Sequence, residues 1–407
     1  MMLYVHIPFC ISKCKYCDFL SFYADDNVKD DYMRALFKEI ETVSEEIKEK
    51  YGRRLTSIYL GGGTPPMLGT DRIQKLLKKI RDSFVITEDC EITMEINPAS
   101  IDVVSLRSLY RAGINRLSIG LQTTEDEILE FIGRTHTFDD FLQVYADARY
   151  VGFNNISVDL MAALPGQTLE SYAESVRSVI SRGPEHISCY SLSIEDKTPM
   201  SRIFERHPEI FPDEETDRKM YRITKRLLKE AGYKRYEISN YSLPGKESRH
   251  NNGYWTNLPY VGVGLGASSY LYPHRRKNVA DMETYLTYWD SGKGERYGED
   301  IELKEKDSMA EFFYLGLRRM EGIYIEDFKY RFDKEMVDVY GDVLDRLQEQ
   351  KLITYVNRGV RSDLPLGELS GKSRIRLTEY GIDVSNYVFS QFILSDEDEK
   401  KVTGRRK

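Results

Sequence analysis

The chain has 407 residues, 41% of them hydrophobic, enough for one large α/β core with a smaller unit attached. Its formal charge is −8, and before the mixed tail after Leu394 it carries no run of five or six like charges, so it has no polyanion-binding stripe and nucleic acid is excluded as an expected partner. No apolar stretch approaches the roughly 20 residues of a membrane span, and the first ten residues hold a proline, a histidine and a cysteine in place of a secretory signal; the expected location is the cytoplasm, with peripheral membrane association left open.

Up to about residue 195, short β-rich apolar runs alternate with stretches of helical period, the rhythm of βα units. The predicted strands are Leu3 to Ile7, Ser57 to Leu60, Ile92 to Ile96, Arg116 to Ile119, Ile156 to Leu160 and Ile187 to Leu192. Between the first two, Tyr32, Leu36, Ile40, Val43 and Ile47 recur at helical spacing and predict an amphipathic helix. Six such units predict an α/β fold in which a parallel sheet curls into a partial (β/α)6 barrel, residues 1–195, with its reactive groups at the C-terminal ends of the strands.

Residues 196–300 lose the alternation and become rich in Tyr, Asn and Gly, with glycine at every second position from Gly262 to Gly266. They are expected to be a barrel extension and substrate-side loops. Residues 301–394 suggest a C-terminal winged-helix-like unit: a helix through Phe312 to Leu317, a second near Phe328, a third through Met336 to Leu347, and strands around Ile353 and Ile375. Its third helix carries Glu335, Asp338, Asp342, Asp345 and Glu349, which repel phosphate and favour a docking or lid role over DNA binding. Residues 395–407 have little hydrophobic content and are expected to be a disordered tail.

Cys10-Ile-Ser-Lys-Cys14-Lys-Tyr-Cys17 follows the first predicted strand directly. Five cysteines are an odd number, and three of them within eight residues suit metal ligation better than disulfide pairing. Three thiolates on a four-iron cubane leave one iron for a small chelating molecule such as an amino acid. A zinc ion with His6 as fourth ligand is the alternative. Cys90 is expected to be a loop thiol and Cys189 a buried strand residue. After the second strand comes Gly61-Gly-Gly63-Thr64-Pro65, whose missing side chains would let backbone approach a ligand. Glu95, Gln122 and Asp159 are polar residues at the third, fourth and fifth strands. A carboxylate buried there without a partner would cost several kcal/mol, so each is expected to face a cavity or a cation; capping of a following helix is the alternative.

The string His6-Ile-Pro-Phe-Cys10, the spaced cysteines and the aromatic Tyr16 resemble the radical S-adenosylmethionine (SAM) superfamily and, within it, the coproporphyrinogen dehydrogenase/HemW branch, from Tyr4 to about Leu394. The resemblance implies a [4Fe-4S] cluster on Cys10, Cys14 and Cys17, and a SAM site lined by Tyr4, Gly62, Gly63, Thr64, Glu95, Gln122, Arg134 and Asp159. The forked guanidinium of Arg134 suits the SAM carboxylate. It also implies one-electron cleavage of the sulfonium as the available chemistry. Dehydrogenases of this branch carry a further cysteine two positions after the third ligand and an N-terminal extension. Here that position is Phe19, and nine residues precede Cys10; both match the heme-chaperone side of the branch.

The segment Arg249-His-Asn-Asn-Gly-Tyr254-Trp255 fits the His-Asn-x-x-Tyr-Trp heme motif of that side, implying heme binding by His250, Asn251, Tyr254 and Trp255. Neutral imidazole is a good axial ligand for heme iron, and the two aromatics offer flat area for a porphyrin; the alternative is that His250 anchors a loop through hydrogen bonds. Ser268 stands where the family typically has the histidine of Gly-Ala-His-Ser. The expected function is a heme chaperone, without coproporphyrinogen dehydrogenase activity, that binds heme and a SAM-coordinated cluster and transfers heme to an acceptor protein, respiratory enzymes being plausible acceptors, with an electron donor serving the cluster. The alternatives are a radical SAM oxidoreductase acting on coproporphyrinogen III and a radical SAM enzyme that methylates or opens heme.

Overall fold

A computed structural model describes residues 1–362 and 366–395; apart from Ser395, the expected tail lies outside the described residues. The six predicted strands are present as β1 (Met2–Ile7), β2 (Arg54–Gly62), β3 (Val85–Ile96), β4 (Arg116–Gln122), β5 (Ile156–Ala162) and β6 (His186–Ser191). Each runs parallel to the next in chain order. Their odd and even faces are filled differently: Leu117, Ile119 and Leu121 pack beneath the covering helices, while Ser118, Gly120 and Gln122 share the opposite face. The helix Asp26–Glu46 follows β1, capped by the Asp25 side chain, and buries Tyr32, Leu36, Ile40 and Val43 as the spacing predicted. Helices Phe138–Val151 and Leu169–Arg182 start in capping boxes built on Thr137 and Thr168.

Residues 196–300 differ from the expected loops. They contain β7 (Lys234–Arg235), β8 (Asn240–Ser242), β9 (Tyr260–Val263), β10 (Ser268–Leu271), β11 (His274–Asn278) and β12 (Tyr297–Glu302), which extend both edges of the same sheet. β9 joins β1 in parallel and β8 joins β6 antiparallel, so the six-stranded parallel run stays open instead of closing on itself. Strands this short are difficult to recognise by alternation. Gly262 shows what the glycine run is for: a Cβ there would lie 2.1 Å from the Ser268 carbonyl oxygen, across the β9–β10 turn. One core runs through all of this, from Leu3 to Tyr285.

A second core, Met309 to Phe392, holds helices Glu305–Gly316, Ile325–Phe332 and Met336–Glu349 against an antiparallel sheet of β13 (Ile323–Tyr324), β14 (Ile353–Asn357), β15 (Val360–Ser362) and β16 (Arg374–Leu377), in the order β13-β16-β14-β15. It is fastened to the barrel by Arg275, which forks onto the buried Glu311 at 2.5 and 2.8 Å, and by Arg318, whose guanidinium lies 4.5 Å from the Trp255 ring centroid. Cys90 is buried inside β3 rather than in a loop, and burial pushes its thiol up to about 12. Cys189 is buried in β6, as expected. Among the described residues no helix is long and apolar enough to cross a membrane.

Candidate functional site

The loop that carries the three cysteines is pinched at its base. Phe9, 1% exposed, packs edge-on against Phe22 and Tyr32 at ring separations of 5.9 and 5.3 Å, while Phe22 N donates to Pro8 O and Cys10 N donates to Phe22 O. These contacts close the loop's two ends together at the top of β1. The three thiols are unpaired and half-buried, and all line one cavity of about 170 Å3. Across it stand Gly62, Gly63 and Thr64 from the end of β2, Glu95 from β3, Gln122 from β4, Asp159 from β5, and Arg134. The structure thus brings together every residue expected at the SAM site except Tyr4, which lies outside the lining. Tyr4 instead shares a hydrogen bond of 3.0 Å with His6 Nδ1 and stacks on Tyr59.

Glu95 accepts from Tyr59 OH at 2.7 Å and from Gly62 N at 3.1 Å, and burial pushes its carboxyl up to about 7. Asp159 accepts from the hydroxyls of Ser118 and Ser157 at 3.1 and 3.3 Å, and burial raises its pKa too. Neither carboxylate caps a helix with these bonds. Asp159 lies in the middle of β5, not at its end. Gln122 ends β4 with φ of 75°, in the left-handed region that costs a non-glycine residue, and its Oε1 accepts from Tyr190 OH at 3.4 Å.

The residues fit a SAM-binding cluster better than zinc. Among the described residues no three His, Cys, Asp or Glu side chains are close enough to hold one metal ion, whereas a cubane places a separate iron behind each thiolate. His6, the proposed fourth zinc ligand, has both ring nitrogens engaged, with Tyr4 OH and at 2.8 Å with Leu20 O. Arg134 donates to Gly120 O at 2.5 Å and reaches Cys14 Sγ at 3.9 Å. Its Nε is enclosed without a partner, and among the described residues no carboxylate pairs with it. A cation held at the cavity wall in this way is suited to a ligand carboxylate.

The glycine run also serves the packing of the cysteine loop. A Cβ on Gly63 would meet Phe9 O at 2.8 Å and Phe9 N at 2.9 Å, and one on Gly62 would meet the His6 ring at 2.5 Å. The missing side chains therefore let the protein's own cysteine loop sit on β2, with Gly63 N donating to Ile7 O and Thr64 N to Phe9 O. Sequence reasoning missed Ser118, Gly120 and Tyr190, all in the lining. Their signal was available: Ser118-x-Gly120-x-Gln122 and Ser188-x-Tyr190 are alternate, small or polar positions on otherwise apolar strands.

The His250 segment lies at the opposite end of the barrel. Arg249–Trp255 forms a short helix capped by Ser248; the Glu91 carboxylate accepts from Arg249 N and His250 N. His250 is 1% exposed, with Nδ1 at 2.9 Å from Ser57 Oγ and Nε2 at 2.9 Å from Tyr254 OH. Burial, reinforced by the charge of Arg116, pushes its pKa down to about 3. The ring is neutral and each nitrogen has a protein partner, so ligating iron through His250 would require breaking one of these bonds. Tyr254 is held edge-on between the rings of His250 and Tyr260, Trp255 lies under Arg318, and Asn251 N donates to the Ser248 cap. Ser268 is exposed at the start of β10.

The Radical SAM superfamily model matches residues 4–179, and the HemN C-terminal domain model matches residues 303–363. Over 393 residues the chain is 34% identical to the Heme chaperone HemW of Lactococcus lactis, covering 97% of each. It is also 34% identical to the Heme chaperone HemW of Bacillus subtilis, covering 96% of this chain and 98% of that one. With the mitochondrial Radical S-adenosyl methionine domain-containing protein 1 of Danio rerio the identity is 30%, covering 88% of this chain and 82% of that one. Among solved structures, the Coproporphyrinogen III oxidase HemN of Escherichia coli superposes with a TM-score of 0.80 at 22% identity, covering 96% of this chain and 89% of that one, a likeness of fold alone. The chain belongs to the radical SAM superfamily and, within it, to the HemW family.

Proposed function

We propose that this protein is a heme chaperone, binding heme together with a SAM-coordinated [4Fe-4S] cluster and passing heme to an acceptor protein. The observation that carries the reading is similarity along nearly the whole chain to proteins named Heme chaperone HemW. Cysteine thiolates are the usual ligands of such clusters, so Cys10, Cys14 and Cys17 are assigned that role, with residues 1–195 as the cofactor-bearing part, 196–300 as its extension and 301–394 as the C-terminal unit. When bound, a reduced cluster and SAM supply one-electron chemistry.

The chain's own residues bind and orient. Arg134, in the cavity lining, offers its guanidinium to a carboxylate. Glu95 holds the Gly62 amide and thereby the β2 loop at the cavity wall, and Gln122 and Tyr190 close the adjacent side through their shared hydrogen bond. An acceptor and an electron donor belong to the same reading; a respiratory acceptor would bring the protein to a membrane surface.

Phe19 stands where the dehydrogenases have a further cysteine, so oxidation of coproporphyrinogen is not the function proposed. The test is anaerobic incubation of reconstituted protein with reductant and SAM, followed by product analysis, beside a heme titration read at the Soret band. The expected result is saturable heme binding with no protoporphyrinogen from coproporphyrinogen III and no altered tetrapyrrole from heme. Turnover of either substrate, or no heme binding, would overturn the proposal.

A further inference from the structure

Below the cysteine cavity, the interior of the barrel holds a buried cation. Arg116 opens β4 and shares the inward face of that strand with Ser118, Gly120 and Gln122. It is 2% exposed, its Nε is enclosed without a hydrogen-bond partner, and it forms no ion pair among the described residues. The polar side chains around it are spent on one another. Ser157 Oγ lies 2.8 Å from His186 Nδ1, and His186 Nε2 lies 2.9 Å from Tyr236 OH; His250 is held by Ser57 and Tyr254. Both imidazoles are neutral, because burial and then the charge of Arg116 push their pKa values down. The buried Glu91 accepts from Ser248 Oγ, Arg249 N and His250 N. A guanidinium keeps its charge in such a place, and without a counter-charge its burial is costly.

Asp159 is placed to supply that charge. In the β4–β5 register Gly120 lies opposite Asp159 and Ser118 opposite Ser157, so Arg116 sits one inward position below Ser118, whose hydroxyl donates to Asp159 at 3.1 Å. Asp159 and Glu95 both line the cavity, while Arg116 does not. Burial raises the pKa of both carboxyls, but Arg116 opposes the rise at Asp159, whereas at Glu95 the charge of Asp159 adds to it. The other titratable side chains facing Asp159 are Tyr59, Cys189 and Tyr190, each with its proton held on by burial. We propose that Arg116 is a positioning residue for the SAM site, which from beneath holds Asp159 as a carboxylate and so keeps a negative charge in the cavity wall for a cationic ligand. SAM suits that wall: it carries an ammonium, a sulfonium and one carboxylate, and Arg134 matches the carboxylate. The proposal rests on the SAM reading of the cavity and deepens it.

The test measures binding of SAM and of S-adenosylhomocysteine, which keeps the ammonium and carboxylate but lacks the sulfonium charge. Equilibrium dialysis is run on the anaerobically reconstituted full chain across the neutral and mildly alkaline range, for wild type, Arg116→Met, and Arg116→Met combined with Asp159→Asn. Without the cation the pKa of Asp159 rises further and the carboxyl keeps its proton at neutral pH. Arg116→Met should therefore lose about tenfold of the preference for SAM at neutral pH, regain it as rising pH ionises Asp159, and show no such step once Asp159→Asn is added. A folded Arg116→Met with the wild-type preference and pH profile overturns the proposal. So does equal weakening of both ligands with no new pH step, which is the mark of a merely structural residue. A second measurement needs no Arg116 variant: the infrared difference between wild type and Asp159→Asn at neutral pH should contain carboxylate bands, and a protonated-carboxyl stretch in its place overturns the proposal whether or not Arg116→Met folds. If wild type binds no SAM, the SAM reading fails and the proposal with it; if wild type binds SAM and Arg116→Met behaves like it, only the role of Arg116 fails.

Discussion

The two ends of the barrel carry the two sequence motifs and treat them in opposite ways. At the C-terminal ends of the strands, Cys10, Cys14, Cys17, Glu95, Gln122 and Arg134 surround a cavity. At the N-terminal ends, the helix Arg249–Trp255 closes the barrel, and His250 has a protein partner for each ring nitrogen. Ser57, which holds His250, and Gly62, at the cavity, are five residues apart on β2, about 16 Å along a strand. Between them Tyr59 packs its ring against His250 at 5.1 Å and donates to Glu95, which in turn holds Gly62 N. At the first end thiols and polar side chains face an open cavity, and at the second the His250 ring is enclosed by protein partners.

Changes at the two ends should therefore be read by different instruments. Cys10→Ala, Cys14→Ala and Cys17→Ala should each abolish normal cluster incorporation, measured as iron and sulfide per chain, while leaving the thermal melt of the cluster-free protein close to wild type, because the thiols are only half-buried. A variant with a full cluster would remove that residue from the site. His250→Ala should do the reverse, costing about 2–5 kcal/mol in urea unfolding through a cavity and two broken hydrogen bonds, with iron content and the position of any heme Soret band retained. An unchanged stability with a shifted Soret band would instead mark His250 as an axial ligand. The buried imidazole also carries a pH signature. With its folded pKa near 3, well below the unfolded value of 6.5, its share of stability is present above pH 6.5 and is lost as pH falls below it; the variant should lack that share.

Gly63→Val should be milder, costing about 1–3 kcal/mol by overpacking. Because the new side chain would meet the Phe9 backbone, cluster content and SAM binding should fall together; loss of SAM binding with a full cluster would show that the glycine faces ligand alone. The smallest effect expected is from Glu95→Gln. A carboxyl whose pKa is pushed up to about 7 favours folding below its unfolded pKa of about 4.5, and that contribution is lost as pH rises through 7. The variant should flatten the stability profile between pH 4.5 and 7, and an unaltered profile would place the proton elsewhere.

The strands of the barrel were legible because β1 to β6 are long or apolar enough to show their period, and the cysteine spacing named its own loop. The short strands β7 to β12 were not, since elements such as Lys234–Arg235 and Asn240–Ser242 have too few residues for alternation. Spacing identified Arg134, Glu95 and Asp159 as polar groups in a parallel sheet, but not that Arg134 would lack a carboxylate while Asp159 would gather serine hydroxyls. The motif around His250 was visible, yet its role depended on Ser57, nearly two hundred positions away. The serine partner of the imidazole could not be read from the motif, because the pairing joins residues far apart in the chain. Cys90 was misplaced for a related reason: the residues before it are polar, but β3 begins at Val85 and carries Cys90 into the core.

The measurement that tests the account most directly is low-temperature EPR of the reduced, anaerobically reconstituted protein, recorded with and without SAM on wild type, Cys14→Ala and His250→Ala. A SAM-binding cluster on Cys10, Cys14 and Cys17 gives a [4Fe-4S] signal that shifts on SAM addition in wild type and in His250→Ala, and no normal cluster signal in Cys14→Ala. A wild-type signal indifferent to SAM, or a normal SAM-responsive cluster in Cys14→Ala, would contradict it.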